Sequence, residues 1–192
     1  FTIFGQVVIM LLMFIGGLGF LTLSTFFLMI LGARFGVTDR LLMKEAWNAD
    51  STKGIVRLIR NIVLFSVSVQ LLGTIINYFI IREIVPNNSF WVAMFQSVSA
   101  FNNVGFDILG NSNSLIEYSG NVALNISTML LIIIGGLGFV TIFDIFKNHS
   151  WKKINITSKI VLIVVPTLIV VGMLLIKIAD YNNITWLQAL FT

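Results

Sequence analysis

The chain has 192 residues, of which 57% are hydrophobic and only 10% are charged, and its mean hydropathy is +0.98. A soluble domain carries about 25% charged residues, so this composition is typical of an integral membrane protein. Cysteine is absent and His149 is the single histidine, which excludes thiolate metal sites, thiol nucleophiles and sites that need two imidazoles. The net charge of +4 does not indicate nucleic acid as a partner, because the basic residues lie in short loops between apolar runs.

Four apolar runs are long enough to cross a bilayer, which takes about 20 residues. Lysine and arginine are concentrated in the loops 33–61 and 147–155, and an excess of these residues marks the cytoplasmic side. We therefore expect a multi-pass protein of the cell membrane, in which the first and third spans end inside the cell and the second and fourth end outside. The four runs are Val7–Leu31, Ile62–Ile81, Val122–Phe146 and Ile156–Ile176.

The segment Phe90–Asp107 lies between the second and third spans and contains a short apolar run. Phe90–Phe101 would reach only about 18 Å as a helix, whereas the bilayer core is about 30 Å thick. Non-helical backbone at membrane depth is tolerated only where it is buried in protein or lines a wet cavity. We therefore predict a helix that enters the membrane from outside and a loop, Asn102–Asp107, that returns there. The alternative is an outside loop whose helix lies on the membrane surface.

Two internal repeats indicate how the chain is organised. Leu11–Leu23 (LLMFIGGLGFLTL) recurs 119 positions later as Leu130–Ile142 (LLIIIGGLGFVTI), and Phe90–Gln96 recurs more weakly 96 positions later as Trp186–Thr192. They predict a unit made of a span, a short pore helix, a loop and a second span, since transport proteins are often built from repeats. Because the chain holds incomplete units at both ends, we expect a fragment of a longer protein. The predicted parts are the second span of repeat one (1–32), a cytoplasmic basic loop (33–61), repeat two (62–146, with pore helix 90–101 and filter 102–107), a cytoplasmic loop (147–155), and the first span of repeat three with the start of its pore helix (156–192).

The loop Asn102–Asp107 fits a pathway for cations. A cation that enters a bilayer must exchange its hydration water for fixed oxygens, and backbone carbonyls supply them without side-chain charge. Gly105 offers the backbone freedom that aligned carbonyls need, and the negative C-terminal end of helix 90–101 would favour a cation. Asp107 at the outer mouth would raise the local concentration of cations. An enzyme is not expected, because no charged residue lies in the middle of a span. The alternative to a cation pathway is a non-catalytic membrane scaffold subunit of another transport complex.

Each copy of the glycine-rich motif places three glycines in a predicted span. A glycine costs about 1 kcal/mol of helix propensity relative to alanine, so three together need a reason. Close helix packing near the cytoplasmic half, with the two copies side by side, is the favoured interpretation, and a gating bend is the alternative. Phosphate binding is disfavoured, because the spacing is not GxGxxG and no strand precedes it. The glycines are Gly16, Gly17 and Gly19 in the first copy and Gly135, Gly136 and Gly138 in the second.

Polar side chains also occur inside the predicted spans. One set shares a face of the second span because of its i, i+4 and i+7 spacing, and another set begins the third span. Hydrogen bonding between helices is the favoured interpretation, and support of the filter strand is the alternative. Asp144, near the inner end of the third span, is assigned no role in transport. The two sets are Gln70, Thr74 and Asn77, and Asn125, Ser127 and Thr128.

The sequence SAFNNVGFD (Ser99–Asp107), followed by IGGLGF (Ile134–Phe139), resembles the Trk/Ktr/HKT superfamily of potassium transporters, most closely the Ktr-type membrane (B) subunit. The resemblance covers the whole chain. NVGFD is similar to the potassium filter TVGYG, except that Asp107 stands where the second filter glycine would be. The resemblance implies that potassium binds to backbone carbonyls, with Asn102 and Asp107 as filter support and mouth. The implied ligands are the carbonyls of Asn103, Val104, Gly105 and Phe106, with the potassium site itself at Asn103, Val104 and Gly105.

The resemblance also implies an architecture and partners. It implies an all-α membrane protein with four span–pore helix–span units around one pore, of which this chain holds about half. The implied activity is potassium uptake, with sodium as a candidate second ion and no covalently bound cofactor. The implied partners are a second copy of the subunit and a cytoplasmic nucleotide-binding regulatory ring. The basic loop Arg34–Arg60 fits docking of such a ring, and its charge equally fits anionic lipid.

Overall fold

The structure, a computed structural model, describes residues 2–19, 52–109, 115, 118–180 and 184–191, with the side chains of helix residues 52–58 excluded. The regular secondary structure in these residues consists of helices, as predicted for an all-α membrane protein. Most of the predicted basic loop 33–61 lies outside the described residues. The helices are α1 (Ile3–Gly17), α2 (Thr52–Ile81), α3 (Ser89–Phe101), α4 (Val122–Gly136), α5 (Phe139–Lys147), α6 (Ile156–Ala179) and α7 (Trp186–Phe191).

Side-chain caps define the beginnings of α1 and α4. The hydroxyl of Thr2 accepts a hydrogen bond from the backbone N–H of Gly5 at 3.2 Å. The side-chain oxygen of Asn121 accepts one from the backbone N–H of Leu124 at 3.1 Å. Both bonds satisfy N–H groups that the first helical turn leaves without a partner.

Within the described residues, two helices are long and apolar enough to cross a membrane, and a third crossing results if a bent pair counts as one. The two are Ile59–Ile81 of α2 and the whole of α6. The helix α2 begins at Thr52, earlier than the predicted start of the second span at Ile62, so the last part of the predicted loop is helical. The first predicted span, Val7–Leu31, is helical as far as Gly17, and its part beyond Gly19 lies outside the described residues.

The third predicted span, Val122–Phe146, is not continuous. It consists of α4 and α5, whose axes differ by 88° across a break at Leu137 and Gly138. Gly138 has a φ of +78°, a conformation that ends a right-handed helix and that glycine adopts without steric cost. The predicted third span is thus a bent pair of helices, and the bend falls at the glycine-rich motif.

The helix α3 lies in the interior of the described structure. Its first turns pack with α2 and α4, its middle part with α1, and its last turn with α2 and α4. Phe95 is fully buried and Phe101 is 2% exposed. A helix of 13 residues, about 20 Å long, is thereby enclosed by longer helices.

Candidate functional site

The candidate site begins where α3 ends, at Phe101. The backbone N–H groups of Asn102, Asn103 and Val104 donate to carbonyls of the last helical turn at 3.0–3.1 Å. These bonds hold the first residues of the loop against the helix end. Residues 104–108 then follow in a non-helical conformation. The loop therefore leaves α3 from a fixed position.

Two residues of this loop have positive φ angles, Asn103 at +55° and Gly105 at +79°. Asparagine is one of the few residues with a side chain that adopts this region readily. A β-carbon built on Gly105 would meet no atom within 4 Å, so conformation, and not space, requires glycine there. Positive φ at alternate positions reorients the peptide groups on either side of Val104.

The loop forms one wall of a cavity of about 290 Å³. Val104 and Phe106 are 39% and 48% exposed, and Asp107 is half-buried, with Oδ1 accepting a hydrogen bond from the N–H of Leu109 at 3.2 Å. The hydroxyl of Thr128, which also lines the cavity, is buried without a hydrogen-bond partner among the described residues. The cavity is therefore lined by polar groups from α4 as well as by the loop. Its other walls are formed by Gln96, Ser99 and Ala100 of α3 and by Thr128 and Ile132 of α4.

Both glycine-rich motifs contact the end of α3. A β-carbon on Gly17 of α1 would lie 1.6 Å from Oδ1 of Asn102, and one on Gly135 of α4 would lie 1.8 Å from the carbonyl oxygen of Phe101. In the described residues these two glycines therefore allow close contact with α3, and the side-by-side arrangement near the cytoplasmic half stays a prediction. The sequence could not reveal the contact with α3, because glycine spacing does not identify the partner helix.

The other glycines of the motifs have different environments. Gly19 and Gly138, which the 119-position repeat equates, both have a φ of +78° at the end of a helix. A β-carbon on Gly16 would meet nothing within 4 Å, and one on Gly136 would lie 3.7 Å from Nδ2 of Asn103. The motif thus combines residues for close packing with one residue for a turn, so both the packing and the bend interpretations have a structural counterpart.

One of the predicted polar residues of α2 bonds to α3. The amide nitrogen of Asn77, which is fully buried, donates to Oγ of Ser97 at 2.9 Å, and Ser97 donates in turn to the carbonyl of Ala93 at 2.8 Å. The hydroxyl of Thr74 donates to the carbonyl of Gln70 within α2. The polar face of α2 therefore fixes the rotation of α3 through a single interhelical bond.

The polar residues at the start of α4 are buried, and Asn125 acts locally. Its amide nitrogen donates to the carbonyls of Tyr118 at 3.0 Å and Asn121 at 2.8 Å. Asn125 therefore holds the chain that leads into α4 and makes no bond of this kind to α3. Ser127 and Thr128 lie on the same buried part of the helix.

The sequence did not single out Gln6, which binds α3. Its Oε1 accepts a hydrogen bond from Nε1 of Trp91 at 2.6 Å, and this bond ties α1 to the first turns of the short helix. A glutamine directly before an apolar run was the available signal, because a polar group at that depth needs a partner.

Asp144 is buried and accepts two hydrogen bonds, one from the residue before α6 and one from the residue that ends its own helix. Its Oδ2 accepts from the backbone N–H of Asn155 at 2.8 Å, and its Oδ1 accepts from Nδ2 of Asn148 at 2.9 Å. The carboxylate therefore ties α5 to the residue that precedes α6. Among the described residues, no group of three or more His, Cys, Asp or Glu could hold a metal ion.

The apolar helices and their buried short helix define a helical integral membrane protein. The sequence profile of the TrkH family, described as cation transport protein, matches residues 2–187, and the chain belongs to this family. This result confirms the resemblance noted above. The description of that family names cation transport.

The chain is similar to characterised members of the family. It is 36% identical over 187 residues to Ktr system potassium uptake protein B of Bacillus subtilis, covering 95% of this chain and 41% of that protein. It is 36% identical over 189 residues to the potassium/sodium uptake protein NtpJ of Enterococcus hirae, covering 98% and 42%. It is 33% identical over 197 residues to Ktr system potassium uptake protein B of Vibrio alginolyticus, covering 100% and 42%. The chain thus spans about two fifths of the length of these relatives.

Proposed function

We propose that this chain is part of a longer subunit that takes potassium into the cell through a filter of backbone carbonyls. Asn103, Val104, Gly105 and Phe106 supply these carbonyls, Asn102 supports them and Asp107 lies at the outer mouth. The observation that carries the proposal is the buried short helix α3, which ends in a loop with positive φ at residues 103 and 105. The names of the relatives support potassium as the main ion and sodium as a second ion.

The surroundings of α3 support the re-entrant arrangement. A helix on a membrane surface would face headgroups and water along one side. In α3, ten of 13 residues are buried, and the helix packs against α1, α2 and α4. Its C-terminal carbonyls, which carry the negative end of the helix dipole, adjoin the candidate filter, where they would favour a cation.

The repeat relationships support a pore that this chain builds only in part. In this arrangement α1 is the second span of repeat one, α2 to α5 form repeat two, and α6 and α7 begin repeat three. The exposure of Val104 and Phe106 leaves room for filter strands from other repeats. The chain supplies one of four strands, so the fragment alone does not conduct.

Topology and partners follow the charge pattern. Lys147 at the end of α5 and Lys152 and Lys153 in the connection to α6 are exposed, which suits the cytoplasmic side of the cell membrane. The outer mouth, with Asp107, then faces outside.

A second copy of the subunit and a cytoplasmic nucleotide-binding regulatory ring are the proposed protein partners. Anionic lipid is the proposed partner of the basic loop 33–61.

The substitution Gly105→Ser in the full-length protein tests the proposed function. A serine at a φ of +79° is strained by about 1–3 kcal/mol, which disturbs the carbonyls on both sides. We expect the ratio of potassium uptake to sodium uptake to fall about tenfold, since about 1.4 kcal/mol corresponds to a factor of ten. Gly120→Ser is the matched control, because a β-carbon there meets nothing within 4 Å, and it should leave the ratio unchanged. Equal selectivity of both variants would count against this filter assignment.

A further inference from the structure

Two buried side chains of α3, Gln96 and Ser99, are polar and lie beside the candidate loop. Gln96 is 5% exposed and Ser99 is 1% exposed, and both line the cavity of about 290 Å³ that the loop bounds. Together with Ala100 and Asn103 they recur at i, i+3, i+4 and i+7, which places them on one face. Burial of a polar group is unfavourable unless it finds a partner, so this face calls for a role beyond apolar packing.

The first peptide group of the candidate filter is oriented by α3. The N–H of Val104 donates to the carbonyl of Ser99 at 3.0 Å. In a planar trans peptide the N–H and the C=O point in opposite directions. The carbonyl of Asn103, which shares this peptide group with the N–H of Val104, therefore points away from α3. This is the direction that a carbonyl ligand needs when the helix lies behind the strand and the ion in front of it.

The peptide groups that follow run along the cavity. If their carbonyls also face the ion, the N–H groups of Gly105 and Asp107 face the other way, towards the side of α3 that carries Gln96 and Ser99. A backbone N–H that is removed from bulk water needs an acceptor. The carbonyls in the middle of α3 accept hydrogen bonds within the helix itself. The oxygens that this face of α3 can still offer are therefore Oε1 of Gln96 and Oγ of Ser99.

Water can bridge the cavity between these oxygens and the loop. A water molecule takes up about 30 Å³ in the liquid, so the cavity is roomy enough for several. A buried water typically makes about three hydrogen bonds, and it can accept from a backbone N–H while it donates to a side-chain oxygen. Bridges of this kind are nearly as favourable in enthalpy as direct hydrogen bonds.

We propose that Gln96 and Ser99 are positioning residues of the candidate filter. They hold the N–H groups of Gly105 and Asp107 from behind, through water in the cavity, and do not touch the ion. A loop that lost this support would let its carbonyls close around the smaller sodium ion, so the two side chains sharpen the preference for potassium. The inference rests on the proposed function, because it takes the carbonyls of residues 103–106 as the ligands.

Ser99→Ala and Gln96→Leu in the full-length protein test the proposal. Each removes a side-chain acceptor, and leucine keeps nearly the volume of glutamine. The measurement is the ratio of potassium uptake to sodium uptake. We expect this ratio to fall about fivefold in each variant, the factor that corresponds to the typical net contribution of one hydrogen bond. Ser99→Thr keeps the hydroxyl and places its methyl group at the cavity, so it should retain the parental ratio.

Ser66→Ala and Gln70→Leu in α2 are the matched controls. Ser66 is 1% exposed and Gln70 is 5% exposed, the same values as for Ser99 and Gln96, and neither belongs to the described lining of the cavity. Both control variants should keep the parental ratio. The ratio does not depend on how much protein reaches the membrane, so a loss of folded protein alone does not change it.

The outcomes separate this inference from the filter assignment. Parental ratios for Ser99→Ala and Gln96→Leu, together with a lowered ratio for Gly105→Ser, would overturn the inference and leave the filter assignment standing. Ratios that fall equally in the α2 controls would also overturn it, since any buried polar group would then have the same effect. Lowered ratios in the two α3 variants, with parental ratios for Ser99→Thr and the controls, would uphold it.

Discussion

Gly17 of α1 and Asn102, the residue that follows α3, are in such close contact that a β-carbon on the glycine would lie 1.6 Å from Oδ1 of the asparagine. Asn102 is held from its other side as well, because its Nδ2 donates to the carbonyl of Val98 at 2.8 Å. The helix α1 belongs to one sequence repeat and Asn102 to the next. In the proposed pore, the second span of one repeat therefore positions the filter strand of its neighbour.

This contact predicts that Gly17→Ala destabilises the full-length protein. The added methyl group would also lie 2.8 Å from Cβ of Asn102, so rotation of the asparagine amide alone does not relieve the clash. Overpacking of this kind costs about 1–3 kcal/mol, which we expect as a lower thermal midpoint in detergent. Gly16→Ala is the control from the same helix, because its β-carbon meets nothing within 4 Å and alanine favours the helix by about 1 kcal/mol. Equal midpoints for the two variants would refute the proposed contact.

A second prediction concerns Gly135→Ala in α4. Its β-carbon would lie 1.8 Å from the carbonyl oxygen of Phe101, a backbone atom that no side-chain rotation can move. The end of α3 must therefore shift, and with it the candidate filter. We expect the ratio of potassium uptake to sodium uptake to fall about tenfold. A displacement that weakens potassium binding by about 1.4 kcal/mol would have this effect. Uptake of both ions is measured in cells without other potassium uptake systems, with Gly172→Ala as the control that should retain the parental preference.

The sequence predicted the elements of this structure better than their contacts. The short helix was predicted as Phe90–Phe101 and is found as Ser89–Phe101, because its length is bounded by turn-forming residues on both sides. A bend at the glycines around Gly138 was predicted only as an alternative to close packing, since hydrophobicity persists across the break. The glycine motifs indicated a close approach of another element, but only the tertiary structure shows that α3 makes such an approach. The bond of Trp91 to Gln6 joins residues 85 positions apart, which no local pattern reveals.

A third prediction concerns the buried bond between Asn77 and Ser97. Ser97→Ala removes the acceptor of Nδ2 of Asn77, whose Oδ1 already has no partner among the described residues. A buried polar group without a partner costs about 1–3 kcal/mol, so the thermal midpoint should fall. Ser68→Ala is the control, because Ser68 is exposed and bonds only within its own helix, to Leu64.

The coupling between the two side chains can be measured separately. A double-mutant cycle with Asn77→Ala and Ser97→Ala should give an interaction energy of about 0.6 kcal/mol, the average for hydrogen bonds between membrane helices. A coupling of zero would show that the bond does not fix α3 against α2.

A fourth prediction concerns Asp144, which joins α5 to the beginning of α6. Asp144→Ala leaves the backbone N–H of Asn155 and the side chain of Asn148 without their acceptor. Hydrogen bonds to a charged group contribute about 1.5–3 kcal/mol, so the thermal midpoint should fall clearly. Asp144→Asn keeps one side-chain oxygen as an acceptor and should lie between the alanine variant and the parent. Glu83→Ala, at an exposed acidic residue after α2, should change stability by less than about 0.5 kcal/mol. If Asp144→Ala were as stable as Glu83→Ala, the carboxylate would not hold α5, the helix that follows the break at Gly138, against the beginning of α6.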